Sequence, residues 1–224
     1  METRVRCLIL DHDDTVVDST AVVHYPSFVQ YMNDCRGGTD VTLREYLEKN
    51  FDPGIYPFFR EELGFSEAEM LREQEYWNDF VQNRVPRAFG GIRELLEKQR
   101  AAGGYVTVVS HSLRENILRD WRENGLGTPD LTYGWEVPRE RRKPRPDCVF
   151  EILETLGLRP EEALVIDDLK PGWEMARASG VPFAAAGWAY DIPGIEGFMR
   201  RHSDRYFKTV REMDGYLFGD DIRG

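Results

Sequence analysis

The sequence predicts an α/β protein: a doubly wound parallel sheet with a helical block inserted near the start of the chain. Short, continuously apolar runs at residues 5–10, 105–110 and 163–166 suit strands buried on both faces of a parallel sheet. Beyond residue 86 such runs alternate with helical patterns, as βαβ units do. Between residues 20 and 84 every patterned segment has helical spacing and none reads as a strand.

The first run, VRCLIL at 5–10, delivers Asp11, Asp13 and Asp14 to one strand end, and Asp18 follows. Sites of doubly wound sheets lie outside the carboxyl ends of the strands. Carboxylates clustered there repel one another unless a cation is bound, and hard Mg²⁺ prefers such oxygens; the alternative is a solvated acidic turn. Pro26 opens a helix with Phe28, Val29 and Met32 on one face, broken by Gly37 and Gly38. Thr42 with Glu45 forms a capping box for a second helix, which stops before the Asp-Pro-Gly at 52–54. A third helix covers about 56–63, and Ser66 with Glu69 caps a fourth that runs to about 83.

Pro86 and the pair Gly90-Gly91 mark the return to the sheet. A helix over 92–101 leads into the strand at 105–110, and Ser112 with Glu115 predicts a capped helix to about 123. A short strand at 131–133, a basic loop and a helix over 147–156 come next. The strand at 163–166 runs into Asp167 and Asp168, and a helix to 179 ends at Gly180. A small strand at 182–185, then a helix, a short strand and a last helix complete the chain. The expected division is 1–18 with 85–224 for the α/β core and 19–84 for the inserted helices.

Composition excludes several classes. The 224 residues, 41% hydrophobic and 12% aromatic, describe a folded globular chain. A net charge of −11 with no long basic run argues against nucleic acid as a partner. No apolar stretch reaches the roughly 20 residues that span a bilayer, and the start of the chain lacks a signal peptide's apolar run. Cys7, Cys35 and Cys148 have no metal-type spacing, so a cytoplasmic setting is expected, with Cys7 in the core.

Four separate segments put polar groups after an apolar strand: Asp11 to Asp14, Ser110, Lys143 and Asp167-Asp168. Carboxylates for a metal, a hydroxyl and a lone lysine suit phosphoryl transfer, with one carboxylate as nucleophile. These segments also resemble, in order, the four motifs of the haloacid dehalogenase (HAD) superfamily. The stretch DHDDT at 11–15 is similar to motif one, an aspartate, any residue, an aspartate, usually glycine, then threonine. VTVVS ending at Ser110 is similar to motif two. KPRPDCVFEILETLG, from Lys143, resembles motif three, and ALVIDDLKPGWEMARASG resembles motif four.

The resemblance implies a HAD-like core with an inserted helical cap, among phosphoglycolate phosphatase-like and β-phosphoglucomutase-like members. It implies Asp11 as the nucleophile that forms an aspartyl-phosphate and Asp13 as general acid, then base. It implies Mg²⁺ held by Asp11, the carbonyl of Asp13 and Asp168, with Ser110 and Lys143 on the phosphoryl group. The expected activity is Mg²⁺-dependent hydrolysis of a small phosphorylated metabolite, by a monomer or homodimer without membrane or nucleic-acid partners. A β-phosphoglucomutase-like phosphotransferase and a non-catalytic binding module on the same fold are the alternatives.

Three positions depart from the motifs. Asp14 stands where glycine is usual in a tight turn, and its side chain tolerates unusual backbone angles. Gly172 stands where many members carry a second acid, which implies either weaker metal binding or Asp167 substituting at the metal, directly or through water. His111 stands where asparagine is common, either touching the substrate or marking the surface start of a helix. His24, near the cap hinge, is either a substrate contact or structural, and Trp188 and Tyr190 are placed at the border of the site.

Overall fold

The computed structural model describes residues 2–219. Its elements are β1 (Cys7–Leu10), β2 (Val17–Asp18), α1 (Tyr25–Arg36), α2 (Leu43–Phe51), α3 (Ile55–Pro57), α4 (Glu67–Val81) and β3 (Arg87–Ala88). They continue with α5 (Ile92–Ala101), β4 (Tyr105–Val109), α6 (Arg114–Glu123), β5 (Leu131–Tyr133), α7 (Asp147–Leu156) and β6 (Ala163–Asp167). The last are α8 (Lys170–Ser179), β7 (Phe183–Ala186), α9 (Pro193–His202), β8 (Arg205–Phe207) and α10 (Val210–Phe218).

The chain divides into two compact units. One contains the residues up to Val17 and from Arg87 onward, and the other is Asp18–Pro86. In the first, six parallel strands lie in the order β5-β4-β1-β6-β7-β8. Strands are added to one side of β1 and then, from β6, to the other, so the winding reverses beside β1. A crevice outside the strand ends forms at such a reversal. The central strands are aliphatic and buried: Leu8, Leu10, Val106, Val108, Leu164 and Ile166 pack with Ile92, Leu95, Leu96, Ile117 and Trp121 from the helices.

The helical unit follows its sequence signals closely. Thr42 and Ser66 each accept the N–H three residues on, while Glu45 and Glu69 reach back to the cap N–H, so both capping boxes form. The segment expected as one helix over 56–63 is α3 followed by a wider π-type turn, Phe58–Glu62, which turns Phe58 and Phe59 inward. The core is a stack of rings: Phe28 lies 5.1 Å from Tyr46 and 5.5 Å from Phe59, and Phe59 lies 5.0 Å from Phe65. In neither unit is any helix, among the described residues, long and apolar enough to cross a membrane.

One expected cap does not form. Leu113, extended, precedes α6 without a side-chain cap, and the Ser112 hydroxyl is engaged elsewhere. The cap position falls on Leu113, whose side chain has no oxygen to accept a helix N–H, and Ser112 lies one residue outside it.

Candidate active site

The strand register brings the functional side chains to one edge. Leu10 pairs with Val108 on one side and Ile166 on the other, so Asp11, Ser110 and Asp167 leave the sheet together. The Asp11 N–H donates to the Ile166 carbonyl at 2.9 Å, which fixes the start of the loop. The loop then turns tightly: Asp14 has a φ of 55° and its N–H donates to the Val17 carbonyl at 2.8 Å. Aspartate is one of the few non-glycine residues at home in this left-handed region, so it serves where the motif has glycine. His12 points inward, its Nε2 3.2 Å from Asp120 Oδ2, and both side chains are buried.

Lys143 is the centre of the polar cluster. Its Nζ donates to Asp11 Oδ1 at 2.7 Å and to Asp167 Oδ2 at 2.9 Å, and all three residues are buried. The other Asp167 oxygen accepts from the Leu169 N–H at 2.8 Å. Asp168 accepts from the Thr15 hydroxyl at 3.2 Å and from the Tyr190 hydroxyl at 2.8 Å. Trp188 Nε1 donates to the Thr15 carbonyl at 3.1 Å, bracing the same loop. Asp13 Oδ2 accepts from the Ser112 hydroxyl at 2.6 Å, with the Ser110 hydroxyl at 3.4 Å. His111 Nε2 donates to the Lys143 carbonyl at 2.7 Å.

Gly172, near the start of α8, is explained by the same cluster. A Cβ there would lie 2.1 Å from Asp167 Oδ2 and 2.4 Å from Asp167 Cβ. The Asp167 carboxylate thus fills the space that a side chain at 172 would need.

Burial sets the electrostatics. It pushes the Asp11 carboxyl up to about 7; Lys143 opposes the rise, while Asp167 and Asp13 add to it. Asp168 is raised well above the usual carboxylate range by burial and by Asp167, Asp14 and Asp11. Burial works against the Lys143 charge, yet Asp11 and Asp167 hold that ammonium above its ordinary value. Asp11, Asp167 and Asp168 offer carboxylate oxygens that all lie within 4.8 Å of one another. Buried, crowded carboxylate oxygens of this kind suit a hard divalent cation.

The structure therefore brings Asp11, Asp13, Ser110, His111, Lys143, Asp167 and Asp168 to the same strand ends in three groups: Lys143 with Asp11, Asp167 and His111, Asp13 with Ser110 and Ser112, and Asp168 with Thr15 and Tyr190. His24 belongs to the helical unit, where its Nδ1 accepts from Trp77 Nε1 at 2.9 Å and the two rings stack. Sequence reasoning missed His12, and it assigned Ser112 to a helix cap. The available signal for Ser112 was its spacing of two from Ser110, which puts both on one face where the backbone is extended.

This constellation at the carboxyl ends of a doubly wound sheet is that of a hydrolase built on carboxylates. The chain belongs to the haloacid dehalogenase-like hydrolase family, whose model matches residues 8–186. It is 28% identical to a phosphoglycolate phosphatase of Aquifex aeolicus, over 95% of this chain and 99% of that protein. It is 21% identical to the pyrophosphatase PpaX of Bacillus velezensis, over 95% and 96%. A crystal structure from Lactobacillus delbrueckii, solved as a candidate phosphoglycolate phosphatase, superimposes with a TM-score of 0.76 at 22% identity. It covers 96% of this chain and 99% of that one.

Proposed function

We propose that this chain is a Mg²⁺-dependent phosphatase that hydrolyses a small phosphorylated metabolite through an aspartyl-phosphate on Asp11, with residues 19–84 as its cap. The observation that carries this reading is the Lys143 ammonium, buried and 2.7 Å from Asp11, beside the two further carboxylates of Asp167 and Asp168. Relatives that are phosphatases of a phosphorylated small acid and of pyrophosphate support the substrate class.

In this reading an Asp11 oxygen attacks phosphorus while the bond to the leaving oxygen breaks, and Asp13 gives that oxygen its proton. Asp13, now a carboxylate, then takes a proton from a water whose oxygen attacks the phosphorus. The phosphorus–oxygen bond to Asp11 breaks, and phosphate and the free carboxylate are released. Lys143 and Ser110 hold the transferring oxygens, and the Lys143 charge offsets the charge that develops on them. Mg²⁺, held by Asp11, Asp168 and the Asp13 carbonyl, would supply further neutralisation of the phosphoryl group. Asp167, whose oxygens already accept from Lys143 and the Leu169 N–H, serves as the counter-ion that orients Lys143.

The test is phosphate release from a panel of small phosphomonoesters and pyrophosphate, with and without Mg²⁺, for the wild type and Asp11→Asn. Metal-dependent turnover that falls on the order of 10³-fold or more in the variant is expected. Turnover that survives in Asp11→Asn overturns the nucleophile. Turnover seen only as sugar-phosphate isomerisation, dependent on added sugar bisphosphate, replaces hydrolysis by phosphotransfer.

A further inference from the structure

We propose that Ser112 is a positioning residue for the proton transfer made by Asp13, an inference that rests on the phosphatase reading above. The Ser112 hydroxyl donates to Asp13 Oδ2 at 2.6 Å, the short bond expected of a hydroxyl on a carboxylate. Asp13 lies on the loop after β1 and Ser112 beyond β4, ninety-nine residues later, so the bond ties two strand ends together.

Ser112 is itself held firmly. It is buried, its N–H donates to the Ser110 hydroxyl at 3.2 Å, and its carbonyl accepts from the Trp135 N–H at 2.9 Å. The strand end that supplies this last bond approaches so closely that a Cβ on Gly134 would lie 2.7 Å from the Ser112 carbonyl oxygen. The hydroxyl that meets Asp13 therefore stands on backbone with little freedom to move away. Functional groups held this way keep a geometry that loose side chains lose.

The direction of the hydrogen bond gives it chemical meaning. A hydroxyl that donates to Oδ2 occupies that oxygen as an acceptor and directs the acid's proton to Oδ1. Asp13 then enters the reaction with its carboxyl plane and its protonated oxygen both chosen. The two serines divide the work: Ser110, 3.4 Å from Asp13, is left to the phosphoryl oxygens, and Ser112 serves the acid.

Leaving-group dependence tests this. p-Nitrophenyl phosphate expels a weakly basic phenolate that needs little protonation, whereas an alkyl phosphate such as 2-phosphoglycolate or glycerol phosphate expels a strongly basic alkoxide. Ser112→Ala should lower kcat for the alkyl ester by about 10- to 100-fold, a part of what general acid–base catalysis contributes. With p-nitrophenyl phosphate the loss should stay within about threefold. Ser112→Thr, which keeps the hydroxyl, should restore most of the alkyl activity. Ser112→Cys, with a weak donor of similar shape, should fall between them and stands in if the alanine variant does not fold. In an Asp13→Asn background, Ser112→Ala should add no further loss.

Equal losses on both substrates, or none, overturn the role of Ser112 while leaving the phosphatase reading intact. Wild-type protein that releases phosphate from neither substrate overturns the phosphatase reading itself.

Discussion

In the sheet unit β1 and β6 are aliphatic and run into carboxylates that meet a buried lysine; in the helical unit the buried interior is aromatic, and the charges that border it, such as the Arg36 guanidinium 4.4 Å from the Phe65 ring centre, are only partly buried. Leu8, Leu10, Val108, Leu164 and Ile166 pack within a ladder whose register is fixed by backbone hydrogen bonds. Side chains at the end of such a ladder inherit its precision, which is why Lys143 finds Asp11 and Asp167 across more than a hundred and across twenty-four residues of chain. In the helical unit Phe28, Tyr31, Tyr46, Phe58, Phe59 and Phe65 spend their surface on one another. Its buried polar chemistry is sparse: Trp77 donates to His24, and burial pushes the Glu73 carboxyl up to about 7 with His24 opposing. A registered sheet presents chemistry at a fixed edge, whereas a ring-packed helical unit offers shape.

Gly172→Ala is the sharpest way to break this contrast. A Cβ that displaces Asp167 should swing it off Lys143 and cost phosphate release about 10²-fold, the scale of an ångström of misplacement. Alanine suits a helix better than glycine, but the 2.4 Å approach to Asp167 Cβ also requires a backbone shift, so a modest fall in melting temperature should accompany the larger loss of activity. Thermal unfolding and kinetics measured side by side decide it, and full activity would show that Asp167 needs no such space. Phe28→Ala should do the reverse. Removing a ring with 1% exposure should cost about 3–5 kcal/mol, read as faster hydrogen exchange in α1, α2 and α4. Mg²⁺ binding at the sheet edge should be unchanged; exchange rising equally in β1, β4 and β6 would erase the distinction between the units.

The smallest effect is that of pH. Asp11 rises from 3.8 to about 7 on folding, so between those values the metal-free folded state holds a proton that the unfolded state has lost. Stability contributed by that proton is present at low pH and is lost as pH rises through about 7. In the proposed reading Mg²⁺ displaces this proton, so its apparent affinity should fall about tenfold for each pH unit below 7. The gain in melting temperature on adding Mg²⁺ should be larger at pH 8 than at pH 5. An equal gain at both would mean that Asp11 does not take up the metal.

Much of this was legible in the sequence because the signals were local. The apolar runs, the two capping boxes and the left-handed Asp14 each depend on a few neighbouring residues, and each forms. The separate strand ends converge because parallel pairing aligns them, which alternation of strands and helices already implied. Ser112 was misread because the helix starts one residue later than the capping pattern implied, with Leu113 at the cap position, and because the acceptor of its hydroxyl lies ninety-nine residues away. His12 was passed over because its partner, Asp120, sits on α6 with no sequence cue linking the two. The Phe58–Glu62 turn shares the composition of an ordinary helix, so only packing of its rings sets it apart.

The close approach of Gly172 and Asp167 has a consequence for engineering by consensus. The two positions compete for one volume, and that volume holds a single carboxylate. Relatives with an acid at the later position should therefore carry a small residue at the earlier one, and the two sites should covary as an exclusive pair. Restoring the commoner residue here, Gly172→Asp alone, would add a second charge to a filled slot. Only the exchange of both, Asp167→Gly with Gly172→Asp, moves the charge without crowding it. A chimera whose junction falls between these five-residue neighbours inherits either two acids or none.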